Sequence, residues 1–148
     1  MKKCILVLVT FSLAFASLAQ AGGRGGTEIG IASYGGGIGV IGSVGFPARV
    51  PAFESSGVYT YGEVELGAGF TENHSAFGGD VSLGLLLPLE TGLDIYGSLG
   101  PSLAVRGNRT RFGLAAEVGL NIQVNNTHLF IEAGTHAVNS YFAVGLRL

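Results

Sequence analysis

The chain has 148 residues and a formal net charge of −2, with 47% hydrophobic and 12% charged residues. High hydrophobicity with so little charge excludes an intrinsically disordered protein. Eight basic residues against ten acidic ones, without a basic cluster, argue against nucleic-acid binding. The single cysteine, Cys4, excludes an intramolecular disulfide and a zinc–thiolate cluster. The 26 glycines disfavour a helical protein, because glycine destabilises helix interiors.

The first 21 residues have the three parts of a secretory signal. Lys2 and Lys3 precede an almost unbroken apolar run over residues 4–18, and Ala19-Gln20-Ala21 supplies the small residues of a cleavage site. The alternative, a transmembrane anchor, needs a span of about 20 apolar residues, which is longer than the run over residues 4–18. We therefore predict cleavage after Ala21 and a single domain formed by residues 22–148.

After the signal, apolar and polar residues alternate with the period of two that is typical of β-strands. Six segments show the alternation strongly, and two weaker ones precede them on either side of Gly35-Gly36-Gly37. Turn residues separate the segments, and the last turn is predicted at Asn139-Ser140. The eight predicted strands cover residues 27–34, 38–46, 58–70, 77–89, 93–106, 111–124, 128–138 and 141–148.

The two faces of these strands bear on the choice between two all-β architectures. In a soluble antiparallel sandwich the apolar faces form the core, whereas in an outer-membrane barrel they meet lipid and the polar faces line the lumen. The acids avoid the apolar faces, the polar faces are rich in glycine and alanine, and no lysine follows the signal. These features favour a narrow lumen, so we predict an all-β fold, a closed antiparallel up-and-down transmembrane β-barrel of eight strands.

Four phenylalanines are expected at one level of the apolar faces. If both chain ends face the periplasm, these side chains fall at the outer ends of their strands: Phe70, Phe77, Phe112 and Phe142. Aromatic residues at such a level are typical of the interfacial girdle of a transmembrane barrel. We therefore predict that the four form an outer-leaflet aromatic girdle.

The signal, the eight amphipathic strands and their inward acids and arginines resemble the small outer-membrane β-barrels of the OmpA/OmpX type. The resemblance covers residues 27–148 and consists of a pattern, not a signature motif. The chain departs from the family in ending with Leu148 where an aromatic is usual, in its short outer loops, and in its longest connector, residues 47–56, on the expected periplasmic side. The resemblance implies a bacterial outer-membrane protein whose partners are outer-membrane lipid and the outer-membrane assembly machinery.

Charged residues on the inward faces are the candidate site residues. We expect them to form a polar network that fills the barrel, because buried charges are tolerated when paired; the alternative is a narrow cation path lined by the excess acids. His128, Glu132 and His136 are each four residues apart, a step of about 13 Å on a strand, so no metal or cofactor is predicted there. The predicted network comprises Glu63, Glu65, Asp80, Asp94, Arg106, Arg111, Glu117, Glu132, His136 and Arg147.

Three functions follow from these patterns. The leading prediction is a non-catalytic outer-membrane barrel with an envelope-structural or surface role. The first alternative is a soluble periplasmic β-barrel that binds a small apolar ligand in its interior. The second is a lipid-modifying barrel enzyme of the outer leaflet. The lipid A deacylase family carries a His-x-Ser pair, whereas here Val138 stands two residues after His136 and Ser140 stands four after it. No catalytic residue is therefore predicted.

Overall fold

The computed structural model describes residues 25–148, so the predicted signal peptide lies outside the described residues. Each strand pairs antiparallel with the next, and the last pairs with the first, which closes a barrel of eight strands. The predicted closed barrel is thereby confirmed, including its two N-terminal strands. The elements are β1 (Gly26–Tyr34), β2 (Gly37–Pro47), α1 (Pro51–Glu54), β3 (Tyr59–Phe70), β4 (Ser75–Glu90), β5 (Leu93–Arg106), β6 (Arg109–Val124), β7 (Thr127–His136) and β8 (Asn139–Arg147).

The connections give the barrel two different ends. The turn end carries four short connections, at residues 35–36, 71–74, 107–108 and 137–138. The opposite end, called the terminus end below, carries both ends of the described chain and the connections at residues 48–58, 91–92 and 125–126. No helix within residues 25–148 is long and apolar enough to cross a membrane.

The period-two alternation places large apolar side chains outside the barrel and polar side chains inside it. Leu83 is 69% exposed, whereas Glu63 is 1% exposed. This is the reverse of a soluble sandwich, in which the apolar faces are buried. The outward side chains form an apolar belt that includes residues of all eight strands: Ile29, Ile31, Ile38, Val40, Val64, Leu66, Val81, Leu83, Leu85, Leu99, Leu103, Leu114, Val118, Leu129, Ile131, Val144 and Leu146.

Inward tyrosines lie directly over glycines of the neighbouring strand. Tyr96 is paired in register with Gly119, where an added Cβ atom would come within 2.3 Å of the Tyr96 ring. Tyr61 covers Gly84 and Tyr141 covers Gly134 in the same way. An aromatic ring over a cross-strand glycine shields backbone that has no side chain of its own. The glycines of the polar faces therefore make room for particular rings.

The connector between β2 and β3 packs on the outside of the barrel. The backbone amide of Val50 donates to Thr60 Oγ1 at 3.0 Å, and the Thr60 hydroxyl donates to the carbonyl of Ala48. Thr60 belongs to the outward, otherwise apolar series of β3, and the connector explains why it is nevertheless 9% exposed.

The turn between β7 and β8 differs from the predicted one. The turn residues are Ala137 and Val138, and Ala137 has a φ of +50°. Asn139, predicted as a turn residue, is fully buried and begins β8. Its Nδ2 group donates to the carbonyls of Phe77 at 2.9 Å and Val105 at 3.4 Å. The interior bonds of the Asn139 side chain thus account for its position in the strand instead of the turn.

Candidate functional site: the polar interior

His136 lies at the centre of a buried polar cluster near the turn end. Its Nε2 atom is 2.9 Å from Glu65 Oε1 and 2.8 Å from Asp80 Oδ2, and its Nδ1 atom is 2.7 Å from Tyr34 Oη. The His136 side chain is fully buried. Glu65 and Asp80 are register partners on β3 and β4, whereas His136 is on β7, so barrel closure brings the three together.

Tyrosines connect this cluster to two further carboxylates. The Tyr141 hydroxyl donates to Glu65 Oε1 at 2.7 Å and to Glu117 Oε2 at 3.3 Å. Tyr61 donates to Glu117 at 3.2 Å, and Tyr96 donates to Glu132 at 2.7 Å. Buried hydrogen-bond networks of this kind fix the positions of their members.

Three aromatic rings lie close together inside the barrel at the level of His136, and two of them, Tyr34 and Tyr141, are stacked. The ring centroids of Tyr34 and Tyr141 are 5.9 Å apart, and the imidazole of His136 is 5.6 Å from the first and 5.2 Å from the second. All three side chains are buried. The side chains of Tyr34, Tyr141 and His136 therefore fill part of the interior at this level.

A second polar group lies inside the terminus end. Arg147 Nε is 3.9 Å from Glu28 Oε1, and Arg147 Nη2 donates to the carbonyl of Gly25 at 2.8 Å. The Ser43 hydroxyl donates to Glu28 Oε2 at 3.3 Å. Glu63 is buried beside this group, and Asp94 is half-buried.

Arg106 and Arg111 require a correction, because the structure places neither inside the lumen. Both are exposed at the turn end. Pairing of β6 with β7 begins at Ala115, so Arg111 lies on a part of the β5–β6 hairpin that extends beyond β7 and has no barrel wall opposite it. Arg106 reaches His74 at the rim, with Nε 3.3 Å from His74 Nε2. The predicted pairing of these arginines with interior acids is therefore wrong.

The four phenylalanines of the predicted girdle lie on the outer face at the turn end. Phe112 is 85% exposed, and Phe70, Phe77 and Phe142 are also exposed. Phe70 and Phe77 contact each other edge to face with centroids 5.8 Å apart. The four side chains therefore share the turn end of the barrel and an outward direction.

Several interior residues were absent from the predicted network. These are Glu28 and the four tyrosines Tyr34, Tyr61, Tyr96 and Tyr141. Their positions on the polar strand faces were a usable signal, since a ring on a polar face of a closed barrel must point inward. The contacts among β3, β4 and β7 had no sequence signal, because they depend on how the barrel closes.

Comparison with known proteins places the fold. No family model matches the sequence, and no curated protein matches it significantly. Among solved structures, Ail, the attachment invasion locus protein of Yersinia pestis, has a TM-score of 0.55 at 15% identity over 83% of this chain and 97% of Ail. A second Ail structure, in complex with the heparin analogue sucrose octasulfate, has a TM-score of 0.56 at 15% identity, with the same coverage of both chains. A de novo designed transmembrane β-barrel has a TM-score of 0.55 at 19% identity over 84% of this chain and 95% of its own. The fold is that of small transmembrane β-barrels.

Proposed function

We propose that the mature chain is a bacterial outer-membrane β-barrel protein with a non-catalytic, envelope-structural or surface role. The observation that carries the proposal is the apolar belt around a closed barrel whose carboxylates lie inside. Contiguous exposed apolar surface of this extent is rare on soluble monomers. Strands of 9 to 16 residues are also long enough to cross the hydrocarbon region when tilted.

The same surface suggests an orientation and partners. With the terminus end in the periplasm, the girdle of Phe70, Phe77, Phe112 and Phe142 lies at the outer interface. The apolar belt then contacts outer-membrane lipid, and in the cell the outer-membrane assembly machinery inserts the barrel. Ail is named as an attachment invasion locus protein. The turn end here has connections of two to four residues, which offer little surface to a protein partner, and this favours a structural role over attachment.

The interior supports a non-catalytic role. His136 is fully buried and held by Tyr34, Glu65 and Asp80, so an acyl chain in the outer leaflet has no access to it. The lipid A deacylase pattern needs a serine two residues after the histidine. Val138 stands at that position here. We therefore assign these buried groups to holding the barrel together.

The soluble alternative is less well supported. Two concavities of the described barrel, of about 500 and 620 Å³, are lined mainly by outward apolar side chains. These include Leu66, Val81 and Leu103 in the first and Ile29 and Leu146 in the second. An interior site for an apolar ligand needs an apolar lumen, whereas here the lumen contains Glu65, Asp80, Glu117 and Glu132.

Fractionation of cells that express the full chain tests the proposal. We expect the protein in the outer-membrane fraction of a density gradient, extractable by detergent, with a folded band that shifts on boiling. Recovery of the folded chain from the soluble periplasm without detergent would contradict it. Unchanged lipid A in expressing cells is expected, and altered acylation would contradict the non-catalytic part of the proposal.

A further inference from the structure

The donor set inside the barrel near the turn end is mixed and compact. His136 Nε2, Glu65 Oε1 and Asp80 Oδ2 are contributed by three different strands, and one ligand atom of each residue lies within 4.8 Å of the others. The histidine contributes a nitrogen, which distinguishes the set from a cluster of acids. All three residues are buried.

The geometry requires a proton or a metal ion between these atoms. Nε2 lies within 2.9 Å of one oxygen of each carboxyl group, a distance at which an imidazole lone pair facing two oxygen lone pairs is repulsive. A proton on Nε2 removes the repulsion, and so does a metal ion bound by all three atoms. Glu117 and Glu132 each place a carboxylate oxygen within 4.8 Å of one from Glu65. A divalent metal ion offsets the charge of several such carboxylates better than a single proton does.

The surrounding hydrogen bonds are those that a metal-binding histidine and carboxylate use. Tyr34 Oη is 2.7 Å from Nδ1. When Nε2 binds a metal, the Nδ1–H group donates a hydrogen bond to Tyr34 Oη, which fixes the tautomer of His136. Tyr141 donates to Glu65 Oε1 at 2.7 Å and so orients that carboxylate. Ser82, on the same inward face as Asp80, has a buried hydroxyl that has no hydrogen-bond partner within residues 25–148.

We propose that Glu65, Asp80 and His136 bind a divalent transition-metal ion, with Zn²⁺ as the best match. Zinc accepts imidazole nitrogen and carboxylate oxygen at about 2.0–2.2 Å, so donor atoms in a tetrahedral site are about 3.4 Å apart. Nε2 therefore moves about 0.5 Å farther from each of the two carboxylate oxygens. The ion joins β3 and β4 to β7 across the lumen, which makes it a structural metal, with the fourth position open to water or a neighbouring carboxylate.

Metal analysis of the wild-type protein and two histidine variants tests the proposal. The full chain is expressed with its predicted signal and purified in detergent. It is then unfolded in urea with chelator and refolded with Zn²⁺ or with chelator alone. We expect one tightly held Zn²⁺ per folded barrel and a higher unfolding midpoint with Zn²⁺ than without it. His136→Gln is expected to lose the bound Zn²⁺, and His128→Gln, which changes an exposed histidine of the same strand, is expected to keep it.

The outcomes separate a metal from a shared proton. A folded wild-type barrel that retains no Zn²⁺ after refolding overturns the proposal, as does retention of Zn²⁺ by folded His136→Gln. If His136→Gln does not fold, the wild-type barrel refolded with Co²⁺ gives the answer. Intense visible absorption of a tetrahedral nitrogen–oxygen site supports the proposal, and the weak spectrum of hydrated Co²⁺ overturns it.

Discussion

Replacing Gly119 with alanine tests whether ring-over-glycine packing stabilises the barrel. In an ordinary strand this change favours folding by about 0.5–1 kcal/mol, because alanine loses less backbone entropy than glycine. Here the new Cβ would lie 2.3 Å from Cζ and Oη of Tyr96, so the ring has to move. Overpacking costs about 1–3 kcal/mol, and moving the ring strains the 2.7 Å hydrogen bond from Tyr96 to Glu132. We expect a net destabilisation of about 1–3 kcal/mol.

Urea unfolding in detergent micelles measures the effect, and Gly42→Ala is the matched control. The Cβ at position 42 meets the Glu28 carbonyl oxygen at 3.3 Å and no ring, so its effect is expected to stay small. In Tyr96→Ala the ring is absent, and adding Gly119→Ala to that variant is expected to cost much less than adding it to the wild type. If Gly119→Ala is as stable as the wild type, the reasoning about the ring is refuted.

Three further perturbations are expected to have distinct effects on the unfolding free energy. Arg111→Leu is expected to change it by less than about 0.5 kcal/mol, because Arg111 is exposed at the rim; a loss of several kcal/mol would place Arg111 in a buried network after all. His136→Gln is expected to cost about 3–5 kcal/mol in unfolding titrations, because it breaks buried contacts to two carboxylates, and equal stability to His128→Gln would contradict this. Ala137→Gly is expected to raise the thermal midpoint through a gain of about 0.5–1 kcal/mol, because φ at this residue is +50°; a lower midpoint would show that the turn is not strained.

The strands and their faces could be predicted because alternation is a local property of the sequence. Leu83 and Asp80 show it within one strand: three residues apart, they point to opposite faces, and the structure places one outside and the other inside. Phe112 is exposed at the level expected from its place in β6. In each case the side-chain direction follows from position in the strand alone.

The interior cluster could not be predicted, because its members meet through register and closure. The sequence places His136 on one strand with His128 and Glu132. Its contacts are instead Glu65 and Asp80, on strands far away in the sequence. The position of Arg111 depended on how far β6 extends beyond β7, which a strand pattern does not specify. The positive φ of Ala137 in the last turn could not be predicted either, because alanine rarely adopts this conformation.

An arginine scan along the outward face of β4 tests the central claim that the apolar belt meets lipid. Leu83→Arg places a charge in the middle of the strand, and Phe77→Arg and Leu89→Arg place it nearer the two ends. After refolding into bilayers of known thickness, we predict a cost of about 2–4 kcal/mol at Leu83 that falls towards zero at both ends. Equal costs at all three positions, or folding without bilayer or detergent, would contradict the claim.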